Sequence, residues 1–155
     1  MEIYRDFKEL LELFNARGVE YLIVGGYALA HHGVPWNTRD IDLYVRPTQA
    51  NAERIMAALD AFGFGQVGLS AKDFQEPDQR IQLGAPPVRI DLITSLTGVS
   101  WEQAVGGRSQ GNYGGRPLPF LGRTELIANK KAAGRPQDLV DVERLERPPS
   151  DKASP

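Results

Sequence analysis

Residues 21–45 read YLIVGGYALAHHGVPWNTRDIDLYV. Tyr21 to Val24 is a short apolar strand that runs directly into Gly25-Gly26. The small-residue stretch Tyr27 to His32 follows as a short helix, closed by Gly33 and Pro35. Asp40 and Asp42 then sit inside a second apolar strand made of Ile41, Leu43, Tyr44 and Val45. Strand side chains alternate between faces, so the two aspartates point the same way, roughly 7 Å apart. Ile41, Leu43 and Val45 supply the opposite, core-facing side. A third aspartate, Asp91, lies in another apolar run, Val88 to Ile93. If that strand pairs nearby, three carboxylates converge. Adjacent like charges raise each other's pKa unless a cation stands between them. Hard divalent ions take carboxylate oxygens and keep coordination sites open for phosphate. The spacing therefore predicts a Mg²⁺ site, with Mn²⁺ as an alternative ion, and a phosphate-bearing substrate.

The rest of the chain builds outward from this stretch. Phe7, Leu10, Leu11 and Phe14 recur at helical spacing, predicting a helix over residues 4–16 that stops at Gly18. Thr48 is placed to cap a helix over 49–62, with Ile55, Leu59 and Phe62 inward and Gly63 ending it. Ile81 with Leu83, and Val88 to Ile93, predict an antiparallel hairpin around Gly84-Ala85-Pro86-Pro87. Ser100 and Gln103 make a capping box for a short helix holding Trp101. Residues 106–115 contain five glycines and read as a mobile loop, with a hairpin tip as the competing reading. Thr124 begins a helix that Gly134 breaks, and Pro136 suits the first turn of a final helix to about Leu145. The expectation is one α/β (α+β) domain over 1–147, a small mixed sheet flanked by helices, with a disordered tail over 148–155.

Composition narrows the function classes. The chain has 155 residues, 41% hydrophobic and 25% charged, which suits an ordinary globular domain. It has no cysteine, so disulfides, thiolate metal sites and cysteine nucleophiles are excluded. No apolar run reaches the roughly 18 residues of a membrane span, and the acidic N-terminus is unlike a secretion signal, so no membrane contact and a cytoplasmic location are expected. Net charge is −2, with 13 acidic against 9 basic residues in 1–100. A strong polynucleotide binder carries a basic excess, so contact with a long nucleic acid should be local or weak.

A glycine pair, a short helix, Asp-x-Asp on a strand and a lone aspartate on a later strand together resemble the nucleotidyltransferase superfamily with the polymerase-β-type palm. Gly25, Gly26, Asp40 and Asp42 match its first motif and Asp91 fits its third carboxylate. Within that superfamily, Gly25-Gly26-Tyr27-Ala28 with His32-Gly33 and Thr38-Arg39-Asp40-Ile41-Asp42-Leu43 are similar to small bacterial nucleotidyltransferases that include the AbiEii-type toxins. Lys130-Lys131-Ala132-Ala133-Gly134-Arg135 with Asp138-Leu139 and Asp141 is similar to their later signature. Gly26 stands where many relatives carry serine, which removes one hydroxyl contact to phosphate.

The resemblance implies a minimal nucleotidyltransferase fold and transfer of a nucleoside monophosphate from an NTP to an acceptor hydroxyl. Asp40, Asp42 and Asp91 would hold metal, with Asp91 next to the nucleophile. Lys130 would lie by the triphosphate, and Gly25, Gly26, Arg39, Lys130 and Asp141 would bind the nucleotide. The implied acceptor is an RNA 3′ end such as that of tRNA, followed by a protein hydroxyl or a small molecule such as an aminoglycoside. A cognate antitoxin is the implied partner.

Other readings stand beside these. Gly-Gly is also ordinary turn punctuation, Arg39 suits an ion pair with the neighbouring acids, and Asp138 suits helix-dipole compensation behind Pro136. One of His31 and His32 is expected to pack under the glycine turn and bond to backbone. Trp36 and Trp101 read as core or pocket wall. Tyr113 with Arg108 and Arg116 could engage a base or an RNA end. A non-catalytic nucleotide-binding or antitoxin-binding module with the same fold is the alternative function. A glycosyltransferase reading of Asp-x-Asp would leave the glycine spacing a coincidence.

Overall fold

The computed structural model describes residues 5–36, 39–63, 68–85, 88–113 and 115–147. Helix α1 (Arg5–Ala16) buries Phe7, Leu10, Leu11 and Phe14, and the chain then turns at Gly18 with φ +70°. Strand β1 (Tyr21–Val24), fully buried, leads without a loop into α2 (Gly25–His31). Strand β2 (Asp40–Val45) buries Ile41, Leu43, Tyr44 and Val45 while its two aspartates stay partly open. Helix α3 (Gln49–Phe62) begins at Thr48, whose hydroxyl accepts from the Asn51 N–H at 3.2 Å. It ends at Gly63, in the left-handed conformation that glycine tolerates.

A 3-10 turn, Ala71–Phe74, leads to β3 (Arg80–Ala85) and β4 (Val88–Ile93). These pair antiparallel as expected, with the ladder running through Ala85↔Val88. Pro86 and Pro87 of the expected turn lie outside the described residues, as do Tyr4, Thr38 and the tail 148–155. Helix α4 (Trp101–Gly106) carries the Ser100/Gln103 capping box. Helix α5 (Arg123–Ala133) starts one residue before Thr124, with Gly122 at the cap position, and ends at Gly134 with φ +66°. Pro136 opens α6 (Pro136–Glu146).

The mixed sheet has the order β3-β4-β2-β1-β6-β5, where β5 is Ser109–Tyr113 and β6 is Arg116–Phe120. Helices flank it, which is the α/β architecture expected. The glycine-rich segment 106–115 is a correction. Residues 109–113 form β5 rather than a mobile loop, and their antiparallel pairing with β6 agrees with the hairpin reading. Gly111 is glycine because a Cβ there would press on the rings of Phe120 and His31, which stack with centroids 4.2 Å apart. Strand β6 hides behind Pro117 and Pro119, residues that discourage a central strand. Its pairing to β1 occurs at Ile23↔Phe120, beyond both prolines, and Leu121 N–H then donates to Ile23 O at 2.9 Å.

Strand β2 pairs antiparallel with β1 and parallel with β4. Asn51, fully buried, ties the outer end of the β1–β2 pair to α3. Its side-chain amide donates to Glu20 O and Arg46 O, both at 3.0 Å, and its oxygen accepts from Glu20 N–H at 2.7 Å. No described helix is long and apolar enough to cross a membrane. Replacing Asn51 with Ala leaves the Glu20 N–H without its acceptor and takes one of two donors from each of Glu20 O and Arg46 O, and should lower unfolding free energy by about 3 kcal/mol. A urea titration checks this, and a loss below about 1 kcal/mol would contradict the clamp role.

Candidate active site

The pairing register decides which acids meet. Asp42 stands opposite Asp91 across the parallel β2–β4 ladder, and Asp40 stands opposite Arg89. Alternation puts all four side chains on the same face of the sheet. Asp42 and Asp91 therefore face each other directly, within hydrogen-bonding reach. Asp40 takes its own salt bridge from Arg89 at 3.0 Å. The three carboxylates share a face as expected, but only two are adjacent. Among the described residues no group of three acids or histidines is close enough to enclose an ion.

Burial pushes the Asp42 carboxyl up to about 6, Asp91 and Asp40 add to the rise, and Arg80 opposes it. Arg80, at the start of edge strand β3, reaches across with Nη1 2.7 Å from Asp91 Oδ2 and 3.6 Å from Asp42 Oδ1. The other Asp91 oxygen, Oδ1, is buried with no donor from the described residues. A desolvated carboxylate oxygen without a partner is costly, and oxygen donors of this kind suit a hard cation. Asp42, Asp91 and the orphaned oxygen thus fit a divalent ion of the Mg²⁺ type.

Gly25 makes the pair possible. It adopts φ +66°, and a Cβ on it would land on the Asp42 carboxylate. Its glycine identity is thus fixed by the acid as well as by the turn. Gly25, Gly26, Asp40, Asp42 and Asp91 line a cleft of about 820 Å³ whose far wall is α5 and the start of α6.

Lys130 stands on that far wall. Its ammonium lies 3.1 Å from Asp141 Oδ2 and 3.4 Å from Asp138 Oδ1, with 14% of the side chain exposed. Asp141 is fully buried and also accepts from Gln137 Nε2 at 3.0 Å. Asp138 accepts from Arg135 Nε at 2.7 Å and from the Arg135 backbone N–H at 3.2 Å. The hydrogen bond from Arg135 holds the Asp138 carboxyl below its usual range against the opposing effect of burial, and Lys130 adds to the lowering. Two aspartates thus fix one lysine at the cleft wall. Asp141, an expected nucleotide contact, reaches the cleft through Lys130, whereas Asp138, read as helix-dipole compensation, lines it directly.

Arg39 corrects an expectation. It lies in the bend before β2, exposed and outside the cleft lining, because the strand starts at Asp40. Arg80 and Arg89 are the cations beside the acids, and the sequence reading missed both. Arg89 carried a signal, since it is two residues from Asp91 and therefore on its face. Arg80 carried none without the β3–β4 register. His32 Nε2 donates to Leu121 O at 2.7 Å, as expected of one histidine, and His31 bonds to Ser109 Oγ at 2.9 Å. Trp101 packs edge-on against Tyr44 at 5.1 Å. Trp36 is 42% exposed on the cleft wall. The Tyr113 side chain lies outside what the structure describes.

No protein-family profile matches the sequence, and no curated protein matches it significantly. Solved structures do match. The lincomycin-bound lincosamide antibiotic adenylyltransferase LnuA superposes with a TM-score of 0.58 at 16% identity, covering 93% of this chain and 96% of its own. A Thermotoga maritima protein assigned as a nucleotidyltransferase gives 0.58 at 16% identity, covering 92% of this chain and 87% of its own. ANT(2″)-Ia, in complex with adenylyl-2″-tobramycin, gives 0.54 at 16% identity over 90% of this chain and 84% of its own.

Asp138 yields a pH test. A lowered folded-state pKa stabilises the fold above the ordinary carboxylate value of 3.8, and that contribution is lost as pH falls through the lowered value. Asp138→Asn should therefore lower Tm most above about pH 5, with the gap to wild type closing below about pH 4. A gap independent of pH would contradict the charged pairing. Such likenesses fix the fold: the chain has the nucleotidyltransferase architecture.

Proposed function

We propose that the protein is a Mg²⁺-dependent nucleotidyltransferase that moves a nucleoside monophosphate from an NTP to an acceptor hydroxyl and releases pyrophosphate. The observation that carries this reading is the facing Asp42–Asp91 pair, half-buried beside Gly25 in a cleft with a fixed lysine opposite. When bound between the carboxylates, Mg²⁺ or Mn²⁺ supplies Lewis-acid stabilisation of phosphate oxygens. Asp42 and Asp91 would hold it, with Asp40 beside them on the same face of the sheet.

The protein groups do the rest. The small residues Gly25 and Gly26 let the triphosphate approach the backbone. Lys130, held by Asp138 and Asp141, places a point charge against the phosphates without a mobile side chain. Asp91 accepts the proton of the acceptor hydroxyl as its oxygen attacks the α-phosphorus. The bond from that phosphorus to the bridging oxygen breaks, and pyrophosphate carries the electron pair away.

We assign the acceptor to small hydroxyl-bearing molecules. Two structural neighbours that cover nearly the whole chain are named for antibiotic acceptors, and the chain's charge of −2 is unlike that of a polynucleotide binder. The tRNA 3′ end, in a toxin paired with an antitoxin, is the competing acceptor.

The test incubates purified protein with Mg²⁺ and each α-labelled NTP, with an aminoglycoside and lincosamide panel or with bulk tRNA. Label should pass to a small acceptor with release of pyrophosphate. Label on tRNA would move the acceptor to RNA, and no transfer with any NTP would overturn the reading. Asp42→Asn should lose about a thousandfold or more in rate while keeping the wild-type circular dichroism spectrum.

A further inference from the structure

We propose that Arg80 is a displaceable internal counter-ion: it bridges Asp42 and Asp91 and transfers to the nucleotide phosphates when metal enters. The proposal rests on the nucleotidyl-transfer reading of this cleft and adds a residue to it.

The geometry sets up a competition. One guanidinium nitrogen, Nη1, lies within 2.7 Å of Asp91 and 3.6 Å of Asp42. A divalent ion held by the same carboxylates would sit about 2.1 Å from their oxygens. Two cations at that separation from one pair of acids repel strongly in a partly desolvated site. Metal and Arg80 therefore compete for this pair of acids.

Exposure decides which group moves. The Asp91 side chain is 7% exposed, and strand pairing on both sides fixes it. The Arg80 side chain is 54% exposed and springs from the first residue of edge strand β3. It reaches Asp91 diagonally, because Gln82 is the residue directly opposite Asp91 in the register. Swinging it out breaks no backbone pairing.

The same cleft offers a destination. Arg80 lines it together with Gly25, Gly26 and Lys130. A guanidinium pairs with phosphate oxygens in fork geometry. The nucleotide thereby receives the cation that the metal expels. Metal and nucleotide should then bind with positive coupling, and each should tighten the other equally. Arg89 does not share this role, since its partner Asp40 lies one step outside the adjacent pair.

The test is Mn²⁺ binding by the full chain, followed by electron paramagnetic resonance of the free ion, with and without α,β-methylene ATP. Arg80→Gln should bind Mn²⁺ alone about tenfold tighter than wild type, the gain being discounted for the arginine's exposure. Added nucleotide should tighten Mn²⁺ in wild type and much less in the variant. Arg80→Lys keeps the charge without the fork and should fall between. Mn²⁺ should also raise the Tm of Arg80→Gln more than that of wild type. Equal or weaker Mn²⁺ binding by Arg80→Gln, with wild type binding Mn²⁺ in the presence of nucleotide, overturns this role alone. Wild type that binds no Mn²⁺ under either condition overturns the proposed function as well.

Discussion

Asp42 and Asp91 face each other across neighbouring parallel strands, and the rest of the site follows from that adjacency. Two carboxylates cannot be set side by side in a half-buried position unless something offsets their repulsion. In this chain Arg80 supplies the offset from the sheet edge. Gly25 supplies the space, because any side chain at that turn would occupy the place of the Asp42 carboxylate. The strand-to-helix turn, the acidic pair and the edge arginine thus form one mutually dependent unit. Changing one member alters the electrostatic problem that the others solve.

Across the cleft the chain solves a second charge problem differently. Lys130 is held by two buried aspartates on the next helix, and Arg135 neutralises the surplus negative charge. The result is a cation whose position is fixed by packing rather than by a flexible stem. An acidic wall thus faces a wall that presents a fixed lysine. That polarity suits a metal–triphosphate complex, which is what the proposed nucleotidyl transfer requires.

Most of this was legible from residues. The apolar runs around Asp40, Asp42 and Asp91 placed the acids on strands, and the capping residues Thr48, Ser100 and Pro136 marked helix starts that the structure shows. What escaped was set by contacts distant in sequence. Gly111 looked like loop punctuation because its need for a bare Cα comes from His31 and Phe120. Strand β6 was masked by Pro117 and Pro119, which are tolerated because β1 joins it at Phe120. The expected three-acid convergence became a pair plus one because Arg89 stands opposite Asp40, a matter of register. Arg80 was invisible for the same reason.

Asp42 and Asp91 are proposed to form a cation site that serves a nucleotide in the adjoining cleft. Crystals grown with Mn²⁺ and α,β-methylene ATP test it directly through the manganese anomalous signal. An anomalous peak is expected between the Asp42 and Asp91 carboxylates, with triphosphate density running from Gly25-Gly26 toward Lys130. Nucleotide bound elsewhere, or bound in this cleft with no peak at the two aspartates, would contradict it.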